Sequence, residues 1–164
     1  MKDGLNALYE RRSVRKYKSE QISDGELEQI LKAGLCAPSA MNRQPAIIIA
    51  VQDKDTIAYM SKLNAQVMGA NGDPFYGAPS VLVVLAEADN PNAVKDGSLV
   101  LGNLMNAASA LGIGSCWVNR AQEVFASAEG KALLEKCGVQ GDYIGVGNCI
   151  LGYPAEMPAA KPIK

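Results

Sequence analysis

Three arginines fall within five residues near the start of the chain, in Arg11-Arg12-Ser13-Val14-Arg15-Lys16-Tyr17-Lys18. A guanidinium is a planar fork of N–H donors that matches phosphate oxygens two at a time. Ser13 adds a hydroxyl among them, and no acid is interleaved. A charged run is commonly a solvated surface and nothing more. The density of arginine, directly after a helical stretch, makes a phosphate-bearing guest reasonable. A second polar stretch is Ala37-Pro38-Ser39-Ala40-Met41-Asn42-Arg43-Gln44-Pro45. Ser39, Asn42 and Gln44 offer both donors and acceptors, and an amide can read a ring edge of alternating carbonyl and N–H groups. A plain polar turn would have the same composition. A third stretch, Leu111-Gly112-Ile113-Gly114-Ser115-Cys116-Trp117-Val118-Asn119, imitates a dinucleotide fingerprint without being one. It lacks the third glycine, and its helix precedes the strand. Gly145-Val146-Gly147 fails similarly. Trp117 is core or the wall of a pocket.

Other chemistry is excluded by composition. Histidine is absent, which removes Ser-His-Asp and Cys-His catalysis and any His-ligated metal. Cys36, Cys116, Cys137 and Cys149 form no C-x-x-C pair, so neither a thioredoxin centre nor a zinc knuckle is expected. The net charge of −1 argues against a general polyanion binder. Residues 1–20 nevertheless carry +3 and the remainder −4, so the basic cluster lies on an otherwise acidic molecule. One short cluster of that kind makes nucleic acid an improbable partner. The longest apolar runs, Ala46–Val51 and Val81–Ala86, are too short to span a membrane. The opening MKDGLNALYERR has no signal-peptide core, and a cytoplasmic location is expected.

The elements that must position these residues follow from pattern. The 164 residues, 48% of them hydrophobic, suit one layered α/β domain over 1–164. Residues 3–11 read as a short helix with Leu5, Leu8 and Tyr9 on one side. Ser23-Asp24-Gly25-Glu26 is a capping box, and Leu27, Ile30, Leu31 and Leu35 stripe the helix behind it. Ala46–Val51 and Val81–Ala86 read as strands buried on both faces. A helix is expected from Asp55 to Asn64, then a loop over 69–79. A long helix starts near Asp96 or Ser98 and closes at Gly112. Its Leu104, Met105 and Ala108 could face a second copy. Ile113–Val118 is a third strand, helical stretches follow at 121–126 and 128–137, and Ile144–Leu151 is a fourth strand broken by Gly145 and Gly147. Cys36, Cys137 and Cys149 are expected on apolar faces.

Taken together, R-R-S-V-R-K-Y, A-P-S-A-M-N-R-Q-P, A-S-A-L-G-I-G-S-C-W-V and the terminal G-Y-P…K resemble the FMN-dependent nitroreductase family over nearly the whole length, in register. The resemblance implies an α+β fold: a mixed, mostly antiparallel sheet flanked by helices, in an intertwined homodimer with flavin at the interface. It implies that Arg11, Arg12, Ser13 and Arg15 hold the FMN phosphate and part of the flavin edge. Pro38, Ser39, Asn42 and Gln44 would lie against the flavin from the other subunit. Trp117, Val118 and Asn119 would approach the flavin ring, and Lys161 the phosphate. Ala46 departs from the family's usual aromatic, and the C-terminal extension is short.

The implied activity is hydride transfer from NADH or NADPH, through FMN, to a small electron-poor acceptor such as a nitroaromatic, quinone or enone, with ping-pong kinetics. No side chain is expected to be catalytic and no metal is expected. A narrower flavoenzyme of the same family, performing reductive dehalogenation or flavin breakdown, shares these motifs. So does a flavin-binding protein without turnover.

Overall fold

A computed structural model describes residues 3–159. Its centre is the strand β2 (Ser80–Glu87), apolar at both odd and even positions and therefore fit for burial on both faces. Val81 to Ala86 are all at most 1% exposed. β2 pairs antiparallel with β1 (Ala46–Val51), Ile48 facing Val84. Its other neighbour is β4 (Tyr143–Gly152), Leu82 facing Cys149. β3 (Gly114–Val118) completes the order β1-β2-β4-β3. The three ladders are antiparallel; the parallel component is an isolated bridge between Ser13 and Ser115.

Helices cover both faces. On one, α3 (Lys54–Met68), α5 (Ala121–Ala126) and α6 (Ala128–Lys136) bring Ile57, Met60, Phe125 and Leu134 against Val81, Val83 and Leu85. On the other, α2 (Asp24–Leu35) and α4 (Ala93–Ala110) bring Ile30, Leu101 and Leu104 against Leu82, Val84 and Ala86. Each such aliphatic side chain contributes ~1.5–3 kcal/mol through burial. α1 (Gly4–Glu10) lies along α4, where Ser109 Oγ donates to the Ala7 carbonyl at 2.8 Å. The capping box forms as the sequence predicts: Ser23 Oγ accepts from Glu26 N–H, and the Glu26 carboxylate accepts from Ser23 N–H.

Several expectations are corrected. β1 is an edge strand with Ala46 to Ile49 half-buried and Ala50 exposed, because it has only β2 beside it. Leu104 and Ala108 are completely buried in the chain's own core and are not free to face a second copy. Exposed apolar side chains lie elsewhere, among them Leu5, Leu8 and Tyr9 on α1 and Val94 and Leu99 on α4. α3 runs on to Met68 and closes on the left-handed Gly69. α4 begins at Ala93, behind a turn in which Asn90 Oδ1 accepts from Asn92 N–H. Cys36 and Cys137 cap the C-terminal ends of α2 and α6 and are exposed, whereas Cys116 and Cys149 are buried. Burial pushes the Cys149 thiol up to about 12.

Gly145 and Gly147 do not break β4. Val84 faces Gly147 and Leu85 faces Gly145, so Val146 is the extra residue of a β-bulge. Both glycines admit close neighbours. The Ala121 carbonyl at the start of α5 occupies the place of a Gly145 Cβ. A Cβ on Gly147 would lie 2.7 Å from Trp117 Nε1.

Candidate functional site

The arginine segment is laid against the outer edge of β3. Val14 N–H donates to the Ser115 carbonyl at 2.9 Å, and Lys18 N–H to the Tyr153 carbonyl at 2.9 Å. Tyr17 OH donates to the Val14 carbonyl at 2.6 Å, and burial drives its phenol far above its ordinary range. Val14, 1% exposed, is the apolar peg of the segment.

This anchoring divides the arginines between two cavities. Arg11 and Arg12 line one of about 180 Å³, with Ser109, Gly112, Ser115 and Pro154. Arg15 lines another of about 180 Å³, with Tyr76, Trp117, Val118, Asn119 and Arg120. Neither lining includes an acidic residue, so both favour an anion or an electron-rich edge. The Arg15 guanidinium stands 5.9 Å from the centre of the Tyr76 ring, within cation–π range. Arg12 turns back on α1, its Nη1 donating to the Tyr9 and Arg11 carbonyls at 2.8 and 2.7 Å. It thereby satisfies helix-end acceptors, while its Nε is buried without a partner. Ser13 is held by its backbone bridge to Ser115. Lys161 lies outside the described residues.

The end of β3 is held by two asparagines that the sequence reading passed over. Asn64 Nδ2 donates to the Asn119 carbonyl at 2.8 Å, and Asn148 Nδ2 to the Val118 carbonyl at 3.4 Å. Both asparagines are buried. Their signal was a polar residue inside an apolar pattern, Asn64 on the buried stripe of α3 and Asn148 within a buried strand. Tyr76 and Arg120 were missed as well. Both adopt positive φ, 55° and 79°, a strained arrangement for such side chains. Asp73 holds the Tyr76 turn by accepting from Phe75 N–H at 2.9 Å and Gly77 N–H at 2.6 Å. Trp117 is half-buried over Gly147 and also lines the Arg15 cavity, so it is both core and wall.

The loop bearing Pro38, Ser39, Asn42 and Gln44 is elsewhere. It contains a 3₁₀ turn over Ala40–Asn42, with Met41, Asn42 and Gln44 at φ of 54°, 53° and 51°. Ser39 Oγ accepts from Gln44 N–H at 2.9 Å. Ala40 N–H donates to Asp96 Oδ1 at 3.1 Å, which ties the loop to the start of α4. The Arg11 cavity meets α4 at Ser109. At about 1.5 Å per residue, Asp96 and Ser109 are roughly 20 Å apart along the helix. One chain therefore keeps its two candidate binding segments apart. A further cavity, of about 750 Å³ between α3 and the 70–79 loop, shares no residue with either segment. Among the described residues no helix is long and apolar enough to cross a membrane, and no acid, Cys or His cluster could hold a metal.

Comparison with known proteins agrees with this architecture. The nitroreductase family model matches residues 8–74 and 64–153. A protein of Archaeoglobus fulgidus, provisionally named an NADH dehydrogenase/NAD(P)H nitroreductase, is 35% identical over 162 residues, covering 95% of this chain and 88% of its own. An FMN reductase (NAD(P)H) of Bacillus subtilis is 25% identical, covering 99% of this chain and 70% of its own. The crystal structure of a nitroreductase with bound FMN from Bacteroides fragilis aligns with a TM-score of 0.89 at 28% identity, over 100% of this chain and 95% of that one. The three-layer α+β fold is thus that of the nitroreductases. The chain belongs to the nitroreductase family.

Proposed function

We propose that the protein is an FMN-dependent oxidoreductase that takes hydride from NADH or NADPH and reduces a small electron-poor acceptor, of the nitroaromatic, quinone or enone class. The observation that carries this reading is the division of Arg11 and Arg15 between two acid-free cavities on the edge of β3. A ligand with an anionic tail and a planar head with carbonyl groups suits such a pair. The residues present fit FMN: Arg11 and the buried Arg12 Nε would meet the phosphate, with Ser115 beside them. Arg15, Asn119 and Arg120 would meet the polar edge of the ring system, with Trp117 as its wall.

Bound FMN would supply the hydride chemistry that no side chain of this chain provides. The chain's own task is positional. Asn64 and Asn148 fix the carbonyls of Asn119 and Val118, which frees the side chains at the end of β3 to face the ligand. Donor and acceptor would use one space in turn, which gives ping-pong kinetics.

The active unit in this reading is a homodimer. The loop with Ser39, Asn42 and Gln44 is held about 20 Å along α4 from the Arg11 cavity, so it would serve the flavin of a second copy. Exposed Leu5, Leu8 and Tyr9 provide apolar surface for the contact. A cytoplasmic setting, where NAD(P)H is supplied and thiols stay reduced, accords with four unpaired cysteines. The test is the visible spectrum of the purified protein reconstituted with FMN. Flavin bands that bleach on anaerobic addition of NADPH or NADH, and return with a quinone, are expected. Absence of flavin uptake would overturn the reading.

A further inference from the structure

Asp96 is an acid in the wrong place for solubility. It belongs to the buried stripe of α4 with Val100, Leu101 and Leu104, and is 5% exposed. Withdrawing a carboxylate from water is unfavourable unless it accepts hydrogen bonds. Here Oδ1 accepts from Ala40 N–H at 3.1 Å, and Oδ2 is buried without a partner. A half-satisfied buried acid is a poor stabiliser of a core. Its use must lie in what it holds.

What it holds is the loop. Ser39, Asn42, Arg43 and Gln44 are bonded within the loop itself: Asn42 N–H to the Ser39 carbonyl, Arg43 N–H to the Ala40 carbonyl, and Gln44 N–H to Ser39 Oγ. Among the described residues, the Ala40–Asp96 bond is the one hydrogen bond from residues 38–44 to a distant element. The turn is therefore preformed, with three residues in left-handed conformations, and between its anchors at the end of α2 and the start of β1 it is tied to α4 by one amide. Its exposed tip includes Met41 at 86% exposure.

We propose that Asp96 is a positioning residue: by accepting the Ala40 amide it sets where Ser39, Asn42 and Gln44 stand when they meet the flavin of a second copy. The inference rests on the FMN reading above. Asp96→Asn keeps an oxygen for the amide and replaces the unpartnered Oδ2. Asp96→Ala removes the acceptor. Ala40→Pro removes the donor without touching the core, and Ser39, at φ −136° and ψ 155°, already has the extended backbone that a residue before proline requires.

The experiment pairs hydrogen exchange of the FMN-free protein with FMN titration. In Asp96→Ala and Ala40→Pro, amides of residues 41–44 should exchange at least about tenfold faster, with α4 still protected. FMN dissociation constants should rise about ten- to a hundredfold in both, and the visible circular dichroism of the bound flavin should change. Asp96→Asn should restore both to within about threefold of the parent. If Asp96→Ala does not fold, Asp96→Asn and Ala40→Pro decide alone. Unchanged loop exchange in Ala40→Pro, or an Asp96→Asn protein whose loop is as loose as in Ala40→Pro, overturns the proposal. If the parent itself takes up no FMN, it is the flavin reading that fails, and the exchange result still decides the role of Asp96.

Discussion

Arg11 and Arg15 face different cavities, so their substitutions should fail in different ways. Each replacement by Ala should weaken FMN by ~1.5–3 kcal/mol, or roughly ten- to a hundredfold. Arg11→Ala should lose discrimination between FMN and riboflavin, since the phosphate is its proposed target. Arg15→Ala should keep that discrimination and shift the flavin spectrum. Titration of both flavins against both variants checks this, and equal affinity of either variant for FMN with the parent would refute its assignment. Arg12→Ala should do two things: loosen α1 by about 0.5–1.5 kcal/mol, because its Nη1 ends that helix, and weaken FMN, because its Nε is assigned to the phosphate. The thiols give a second residue-scale outcome. A thiol reagent should label Cys36 and Cys137 in the native protein and reach Cys116 and Cys149 only on unfolding. Cys116→Ser should leave NAD(P)H oxidation largely intact.

The elements carry their own tests. Gly145 packs against the first carbonyl of α5, so Gly145→Ala forces backbone apart. Overpacking of this kind should lower stability by ~1–3 kcal/mol, read as a shift in the denaturation midpoint. The capping box makes an acid-limb prediction. The Ser23 and Tyr153 hydroxyls, both donating to the Glu26 carboxylate, hold it below its ordinary value of 4.5. A depressed folded value means the contribution is fully present above pH 4.5 and is lost as pH falls through the lower, folded value. Glu26→Gln should therefore lower stability near neutrality and leave a shallower decline below pH 4.5, as denaturant titrations across that range would show. Most elements were legible in the sequence because apolar periodicity and caps are local. The capping box, Gly112 and the two apolar runs needed no tertiary knowledge. The position of β1 at the edge did, because Ala46–Val51 reads identically for a central strand. The bulge at Val146 was unreadable for a related reason: Gly145 and Gly147 answer to α5 and Trp117, which are distant in the chain. The arginines and Ser39–Gln44 were visible as composition, whereas their separation along α4 was not. Asp96 could have been found as the acid on an otherwise apolar helical stripe.

At the scale of the whole molecule, the proposed division of the site between two copies can be tested by mixing. Arg11→Ala and Asn42→Ala chains should each bind FMN poorly alone. Co-refolded in equal amounts, about half of the dimers should be mixed under random assortment, each with one site intact on both sides and one tight FMN. A monomer at micromolar concentration, or verified mixed dimers without recovery, would defeat the shared site. The placement of residues 13–18 has a further consequence. A strand end in a sheet normally exposes unpaired amides and carbonyls to any passing chain. Here Val14 occupies the Ser115 carbonyl, and the flanking Arg11, Arg12, Arg15, Lys16 and Lys18 place like charges along the same border. The segment proposed to bind the ligand would thus also guard this edge against amyloid-like stacking. Removing residues 1–18 should convert a loss of flavin into a loss of solubility, with light scattering rising as β3 is uncovered.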